Sequence, residues 1–204
     1  MQIIGMMDSP YVRRVAISLK FLRLQFDHVS LSVFSQFDAV AAVNPVVKVP
    51  TLVTDDGMVL MDSTLILQVL ERLAPKERRL TPTGETDFLR AQRLVGLALA
   101  ACEKTVQIVY ERNLRPPEKH HQPWIDRVRA QLLAACGLLE TAAGPASGWL
   151  LGTRPTQADV AVGVAWRFTQ DALPDVIHAE EFPGLSAFSA RAESRPEFLA
   201  CPPV

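Results

Sequence analysis

The chain has 204 residues, 49% hydrophobic and 21% charged, with a formal net charge of -1. That is an ordinary globular balance with material for one large domain or two small ones, and the near-neutral charge speaks against a nucleic-acid or acidic-membrane partner. No apolar run is long enough to cross a bilayer, and Asp8, Arg13 and Arg14 interrupt the N-terminus before an apolar signal segment forms, so a cytoplasmic protein is expected.

The first part alternates strand-like and helix-like segments. Gln2 to Met7 is an apolar run of strand length. Ser9-Pro10 then reads as a helix start, with Ser at the N-cap and Pro at the first helical position. Val12, Val15, Ala16, Leu19 and Leu22 follow at helical spacing. Phe26 to Leu31 alternates apolar and polar as a half-buried strand does, and residues 36–43 fit a short helix. Asn44-Pro45 opens a loop that leads through Val49-Pro50 into a strand. Asp56-Gly57 is a tight-turn signal between Thr51–Thr54 and Met58–Met61, which makes the two a hairpin. Asp62-Ser63 starts a further helix with Leu65, Val69, Leu70 and Leu73 on one face, and Pro75 stops it. The order β-α-β-α-β-β-α places helices against a mixed sheet.

Residues 77–86 are polar, with Pro and Gly, and read as a linker between a domain at 1–76 and one at 87–204. Beyond it strand alternation gives way to helical periodicity. Asp87 to about Arg112 turns Leu94, Leu97, Ala101 and Ile108 inward. A second helix runs from about His121 to Ala143 on Ile125, Val128, Leu132, Ala135 and Leu139, with Gly144-Pro145 as its break. Trp149 to Gly152 is a connecting apolar turn. Thr156 to about Asp171 and Pro183 to about Ser194 are two more helices, and a short one follows Pro196. The second domain is an all-α bundle.

Four short segments carry candidate chemistry. Ser9 ends the first strand and caps the first helix, where unpaired N–H groups and about half a positive charge favour an anion and depress a thiol's pKa; equally, it is an ordinary cap. Pro50, just before a strand, is a candidate cis peptide that would leave the Val49 backbone able to pair with an extended peptide ligand, against the commoner trans proline. Asp62 and Ser63 at the next helix start suit the ammonium and carboxylate of an amino-acid head group, or simply cap the helix. Thr156-x-x-Asp159 resembles a capping box with Asp for Glu, and its reading is structural. The cysteines, Cys102, Cys136 and Cys201, form no C-x-x-C and argue against a disulfide framework; Cys102 and Cys136 read as small buried hydrophobes. His28, His120, His121 and His178 lack metal-ligand spacing, and no metal is expected.

In order and spacing these segments resemble one family. Ser9-Pro10-Tyr11-Val12-Arg13-Arg14-Val15 resembles the active-site start of cytosolic glutathione transferases. Asn44-Pro45-Val46-Val47-Lys48-Val49-Pro50-Thr51-Leu52 is similar to their cis-proline segment. Asp62-Ser63-Thr64-Leu65-Ile66-Leu67 resembles their glutamyl-binding helix start, and Thr156-Gln157-Ala158-Asp159-Val160-Ala161 their buried folding motif. The resemblance, to a bacterial member with a serine-type active site, covers essentially the whole chain.

It implies an α/β thioredoxin-like N-terminal domain followed by an all-α helical bundle. It also implies glutathione as co-substrate, an apolar electrophile as second substrate, a homodimer to which Phe37 or Met58 to Met61 would contribute, and a detoxification role. Residue by residue, Ser9 would donate to the glutathione sulfur and the Val49 backbone would pair with the cysteinyl part, with Pro50 cis. Asp62 and Ser63 would hold the γ-glutamyl end, and Lys48 would reach a carboxylate. The second substrate would lie near Tyr11, Tyr110 and Phe168; Tyr11 is a second hydroxyl donor, less well placed than Ser9. Two departures stand out. Val47 occupies a position where the family often has Gly, and a β-branched residue there predicts a loop that avoids positive φ. Asp8 sets a carboxylate beside the proposed thiolate and would oppose its ionisation if it points inward. Ser9 stands where omega- and beta-like branches show Cys, which disfavours mixed-disulfide chemistry.

Overall fold

The computed structural model describes residues 1–144 and 148–203. Its contacts divide the chain into two compact units, Met1–Thr81 with Ser194–Val204, and Pro82–Glu193.

The first unit is built on a four-stranded sheet: β1 (Gln2–Ile4), β2 (Asp27–Val29), β3 (Thr51–Val53) and β4 (Val59–Met61), in the order β2-β1-β3-β4. β1 and β2 are parallel, as a strand–helix–strand crossover requires, and β3 pairs antiparallel with both β1 and β4. The expected hairpin forms through Asp56-Gly57. Gly57 takes φ 84° and donates its N–H to the Thr54 carbonyl at 3.0 Å, and β3 and β4 face each other from Thr51↔Met61 to Val53↔Val59.

The crossover helix α1 (Pro10–Leu22) buries Val12, Val15, Ala16, Leu19 and Leu22 completely, the stripe its spacing predicts. A short helix α2 (Phe37–Val43) and α3 (Ser63–Leu73) complete the chain-order pattern. The predicted face of α3 is corrected. Ile66, Leu67 and Leu70 are buried, whereas Leu65 and Leu73 are 57% and 56% exposed. The i, i+4, i+8 stripe through 65, 69 and 73 looked equally apolar, but the face that turns inward begins at the buried Ser63. A one-turn helix, α8 (Pro196–Leu199), belongs to this unit: Phe198 is fully buried, Arg13 lies over its ring, and Arg13 Nε donates to the Cys201 carbonyl at 2.8 Å.

The second unit contains α4 (Glu85–Leu114), α5 (Gln122–Ala143), α6 (Gln157–Ala172) and α7 (Pro183–Glu193). α4 packs against α5 and α6, and α7 against α5 and α6. Gly144 ends α5 at φ 49°, its N–H bonded to the Glu140 carbonyl, while Pro145, the other half of the predicted break, lies outside the described residues. The starts of α6 and α7 are each closed by a carboxylate. At α7, Glu140 accepts from the N–H groups of Gly184 and Leu185, both at 2.7 Å. At α6, Asp159 is fully buried and accepts from Leu150 N, Thr156 N and Thr156 Oγ1, each at 2.7 Å, so its structural reading holds. None of the three cysteines forms a disulfide, and all are buried; burial alone pushes the Cys136 thiol up to about 12. No helix of the described residues is long and apolar enough to cross a membrane.

Candidate functional site

Three chain segments of the first unit meet around α1. Ser9 has extended backbone (φ -70°, ψ 120°), and its Oγ accepts from Val12 N at 3.4 Å. Pro10 contributes no N–H, and no acidic residue stands in the first turn, so the positive helix end is left open. A hydroxyl carries one hydrogen and two acceptor sites. The cap uses an acceptor site, and among the described residues no hydrogen bond takes the Ser9 hydrogen. Asp8 precedes the cap as an exposed residue with a partly desolvated carboxyl. That desolvation raises its pKa, opposed by the N–H groups of Ser9 and of Asp8 itself.

The second segment is the loop from Asn44 to Pro50. The Val49–Pro50 peptide is cis, and no hydrogen bond of the described residues uses the Val49 N–H or C=O. Gly5 brings this loop to α1. At φ +132° it sits where an added Cβ would fall 2.6 Å from Val12 Cγ2 and 2.9 Å from Val49 Cβ, so any side chain would drive the two apart.

The expectation that Val47 avoids positive φ is overturned: it adopts φ 52°. Its neighbours leave little choice. Asn44, buried, donates through Nδ2 to Thr51 Oγ1 at 2.8 Å and to the Lys48 carbonyl at 3.3 Å, and its Oδ1 accepts from Val46 N at 3.1 Å. Val47 N donates to the Asn44 carbonyl at 2.8 Å, and Thr51 Oγ1 to the Lys48 carbonyl at 2.7 Å. The side-chain network fixes both ends of the loop, and Val47 absorbs the turn.

The third segment is the start of α3. Asp62, at φ 72°, caps the helix: its Oδ1 accepts from Thr64 N at 2.8 Å and Leu65 N at 3.3 Å, leaving Oδ2 without a bond among the described residues. Ser63 is buried, and its Oγ accepts from Arg14 Nη1 at 3.3 Å; the same nitrogen reaches Thr64 Oγ1 at 3.4 Å.

Of the residues named from sequence, Ser9, Val49, Pro50, Asp62 and Ser63 are thus tied to α1 or to the helix start beside it. Lys48 lies in the same loop with its side chain exposed. Tyr11 is half-buried in the first turn of α1, whereas Tyr110, exposed on α4, and Phe168, half-buried on α6, belong to the second unit. Gly5, Asn44 and Arg14 were not singled out. Gly5 carried a legible signal, a glycine between strand and helix start; Arg14 carried none, because a charged residue in a helix reads as solvated. No group of three or more His, Cys, Asp or Glu among the described residues could hold a metal ion.

Family models agree with this arrangement: residues 3–78 match the glutathione S-transferase N-terminal domain and residues 122–191 the glutathione S-transferase C-terminal domain. The chain belongs to the glutathione S-transferase family. Among its relatives in that family, the GST-like protein YibF of Escherichia coli K12 is 28% identical over 142 residues, covering 69% of this chain and 68% of the relative. The maleylacetoacetate isomerase of Pseudomonas aeruginosa is 33% identical over 165 residues, covering 74% and 72%. A glutathione S-transferase of Methylobacterium radiotolerans, in complex with glutathione sulfonate, superimposes with a TM-score of 0.91 at 29% identity over 99% of this chain and 94% of that one. A Pseudomonas fluorescens Pf-5 glutathione transferase family member with bound glutathione gives 0.86 at 29% identity, covering 100% and 98%. The fold is that of the glutathione S-transferase family, a small mixed sheet followed by a helical region.

Proposed function

We propose that this chain is a glutathione transferase whose first unit binds glutathione with the sulfur at the amino end of α1. The observation that carries the reading is the capped but open start of that helix: the Ser9 Oγ accepts from Val12 N, no acid stands in the first turn, and the hydroxyl hydrogen is uncommitted among the described residues. A thiolate accepts that hydrogen and is stabilised by the helix end, so the bound thiol ionises more readily than free glutathione. The unused Val49 N–H and C=O suit strand-like pairing with the cysteinyl residue. Asp62 Oδ2 suits the glutamyl ammonium and the Ser63 hydroxyl its carboxylate, with Lys48 as a mobile countercharge for a second carboxylate. The similar structures crystallised with glutathione sulfonate and with glutathione support this assignment.

The thiolate then attacks an electrophilic carbon of an apolar second substrate, which Tyr11 of the first unit is proposed to meet. A C–S bond forms. Either a leaving group departs with the bonding pair, or the electrons of an activated double bond move onto the substrate and are quenched by a proton from water. Holding both reactants removes the entropy of bringing them together. The likeness to a maleylacetoacetate isomerase favours a second reading on the same site: reversible addition of the thiolate to a conjugated double bond, rotation about the resulting single bond, and expulsion of the thiolate. The two differ in whether sulfur leaves again.

Mass spectrometry after incubation with glutathione and a panel of aryl halides, enones and cis-dienoic acids separates them. Stable S-conjugates support transfer, and recovered glutathione with a geometrically altered substrate supports isomerisation. Neither product from any class, with no glutathione binding at millimolar concentration, removes the enzyme reading in favour of a partner-binding member of the fold. A detoxification role and a cytoplasmic location are part of the proposal. So is a homodimer using the exposed Phe37, Met58, Val59 and Met61, which sedimentation of an F37D M58D variant tests.

A further inference from the structure

We propose that His28, on strand β2, is a positioning residue that sets the start of α1 and the Val49 loop for the cysteinyl part of the ligand. The inference rests on the glutathione reading above and deepens it. Gly5 is the point of closest approach in that site. At φ +132° it leaves the strand, and the space a Cβ would fill is taken by Val12 Cγ2 of α1 at 2.6 Å and Val49 Cβ of the loop at 2.9 Å. A glycine has the widest backbone freedom of any residue and no side chain to anchor it, so its peptide groups must be fixed from outside. The sheet fixes the N–H, which donates to the Val29 carbonyl at 3.1 Å. The carbonyl accepts from no backbone N–H among the described residues. The His28 side chain takes it instead, with Nε2 donating to Gly5 O at 2.7 Å.

A carbonyl oxygen only accepts, so Nε2 must carry a hydrogen; the neutral Nε2–H tautomer and the imidazolium both provide it. Toward Gly5 the ring is therefore a donor in either form. What it holds reaches the sulfur site by two routes. The Gly5–Met6 peptide opens the turn into α1, and the next carbonyl, that of Met6, accepts from Ser9 N at 3.2 Å. The other route is the face of Gly5 that Val12 and Val49 close from two sides. Rotating the Gly5 peptide thus moves the Ser9 hydroxyl through the turn and the Val49 backbone through contact. His28 is itself exposed on β2 and adds nothing to the buried core, so its loss disturbs the site more than the fold.

The test compares H28Q with H28N in the full chain. A glutamine amide nitrogen stands about as far from Cα as imidazole Nε2, and an asparagine amide nitrogen about as far as Nδ1, so only H28Q can restore the bond to Gly5. Glutathione affinity is read by calorimetry and the ionisation of the bound thiol by its thiolate absorbance. H28N is expected to bind glutathione about three- to tenfold more weakly, the span of one lost hydrogen bond, with the bound thiol titrating closer to free glutathione. H28Q is expected to stay within about twofold of the wild type in affinity and to keep the wild-type titration. Equal behaviour of the two variants, both impaired or both intact, overturns the positioning role. A second readout needs no variant to fold: in long-range proton–nitrogen NMR of the wild type, the neutral His28 ring is expected to be wholly the Nε2–H tautomer, and an Nδ1–H form or a mixture overturns the contact. A folded wild type that binds no glutathione at millimolar concentration overturns the glutathione reading instead, while the tautomer still decides the His28–Gly5 bond, so the two failures are distinguishable.

Discussion

The starts of α1 and α6 look alike on paper, each a hydroxyl residue at an N-cap, yet they are put to opposite use. At α6 both oxygens of the capping carboxylate are engaged inside the protein. The Asp159 carboxylate takes three donors at 2.7 Å and is fully buried. At α1 the cap is minimal: one acceptor bond of 3.4 Å on Ser9 Oγ, with the hydroxyl hydrogen unspent among the described residues. The start of α3 follows the α1 pattern, since Ser63 and Thr64 accept from Arg14 without donating. A saturated cap stabilises the fold, and an unsaturated one is open to a ligand. What separates them is the count of uncommitted hydrogens and lone pairs, which the residue type alone does not reveal.

The contrast is most exposed at Asp159. Asp159→Ala orphans three donors, two of them backbone N–H groups, in a buried setting. We expect a loss of about 3 kcal/mol or more, read as a collapse of the thermal transition. A change below about 1 kcal/mol would mean the α6 cap is not saturated as described. Gly5→Ala comes next: the added Cβ meets Val12 and Val49 at under 3 Å from a backbone with φ +132°. It is expected to cost about 2–3 kcal/mol and to weaken glutathione binding together with stability, by shifting the Val49 loop. A stable Gly5→Ala variant with unchanged binding would separate that loop from the site.

Smaller effects sharpen the account further. Val47→Gly relieves a β-branched residue at φ 52° and is expected to gain up to about 1 kcal/mol in chemical denaturation, less whatever unfolded-chain entropy glycine adds. Destabilisation beyond 1 kcal/mol would mean the Val47 side chain carries packing that outweighs its backbone conformation. Asp8→Asn removes a negative charge next to Ser9, and a like charge there disfavours a thiolate. The pKa of the bound thiol is therefore expected to fall by about half a pH unit, seen as an acid-side shift of the pH–rate profile. No shift would place the Asp8 carboxylate out of electrostatic reach of the sulfur.

Much of this architecture was legible because local rules and packing agree. Ser9-Pro10, Asp56-Gly57 and Thr156-x-x-Asp159 each specify a backbone event, and each occurs where expected. The family's sheet and helical region likewise follow from strand and helix periodicity. Two readings failed for the same physical reason. The inward face of α3 and the positive φ of Val47 are decided by partners distant in sequence, the α1 side against which α3 packs and the Asn44–Thr51 network. Arg14 escaped notice on similar grounds: the side chain it meets lies 49 residues away, at Ser63. Short-range patterns locate helix ends, but which end keeps a hydrogen to offer is settled only in three dimensions.

The central claim is that the open start of α1 holds a thiolate. Titrating bound glutathione by its thiolate absorbance, in the wild type and in Ser9→Ala, tests it most directly. The account predicts a bound thiol pKa clearly below that of free glutathione in the wild type, a return most of the way to the free value in Ser9→Ala, and turnover falling about 10- to 100-fold while affinity stays within a few-fold. A bound thiol that titrates with free glutathione, or a depression that survives unchanged in Ser9→Ala, contradicts it.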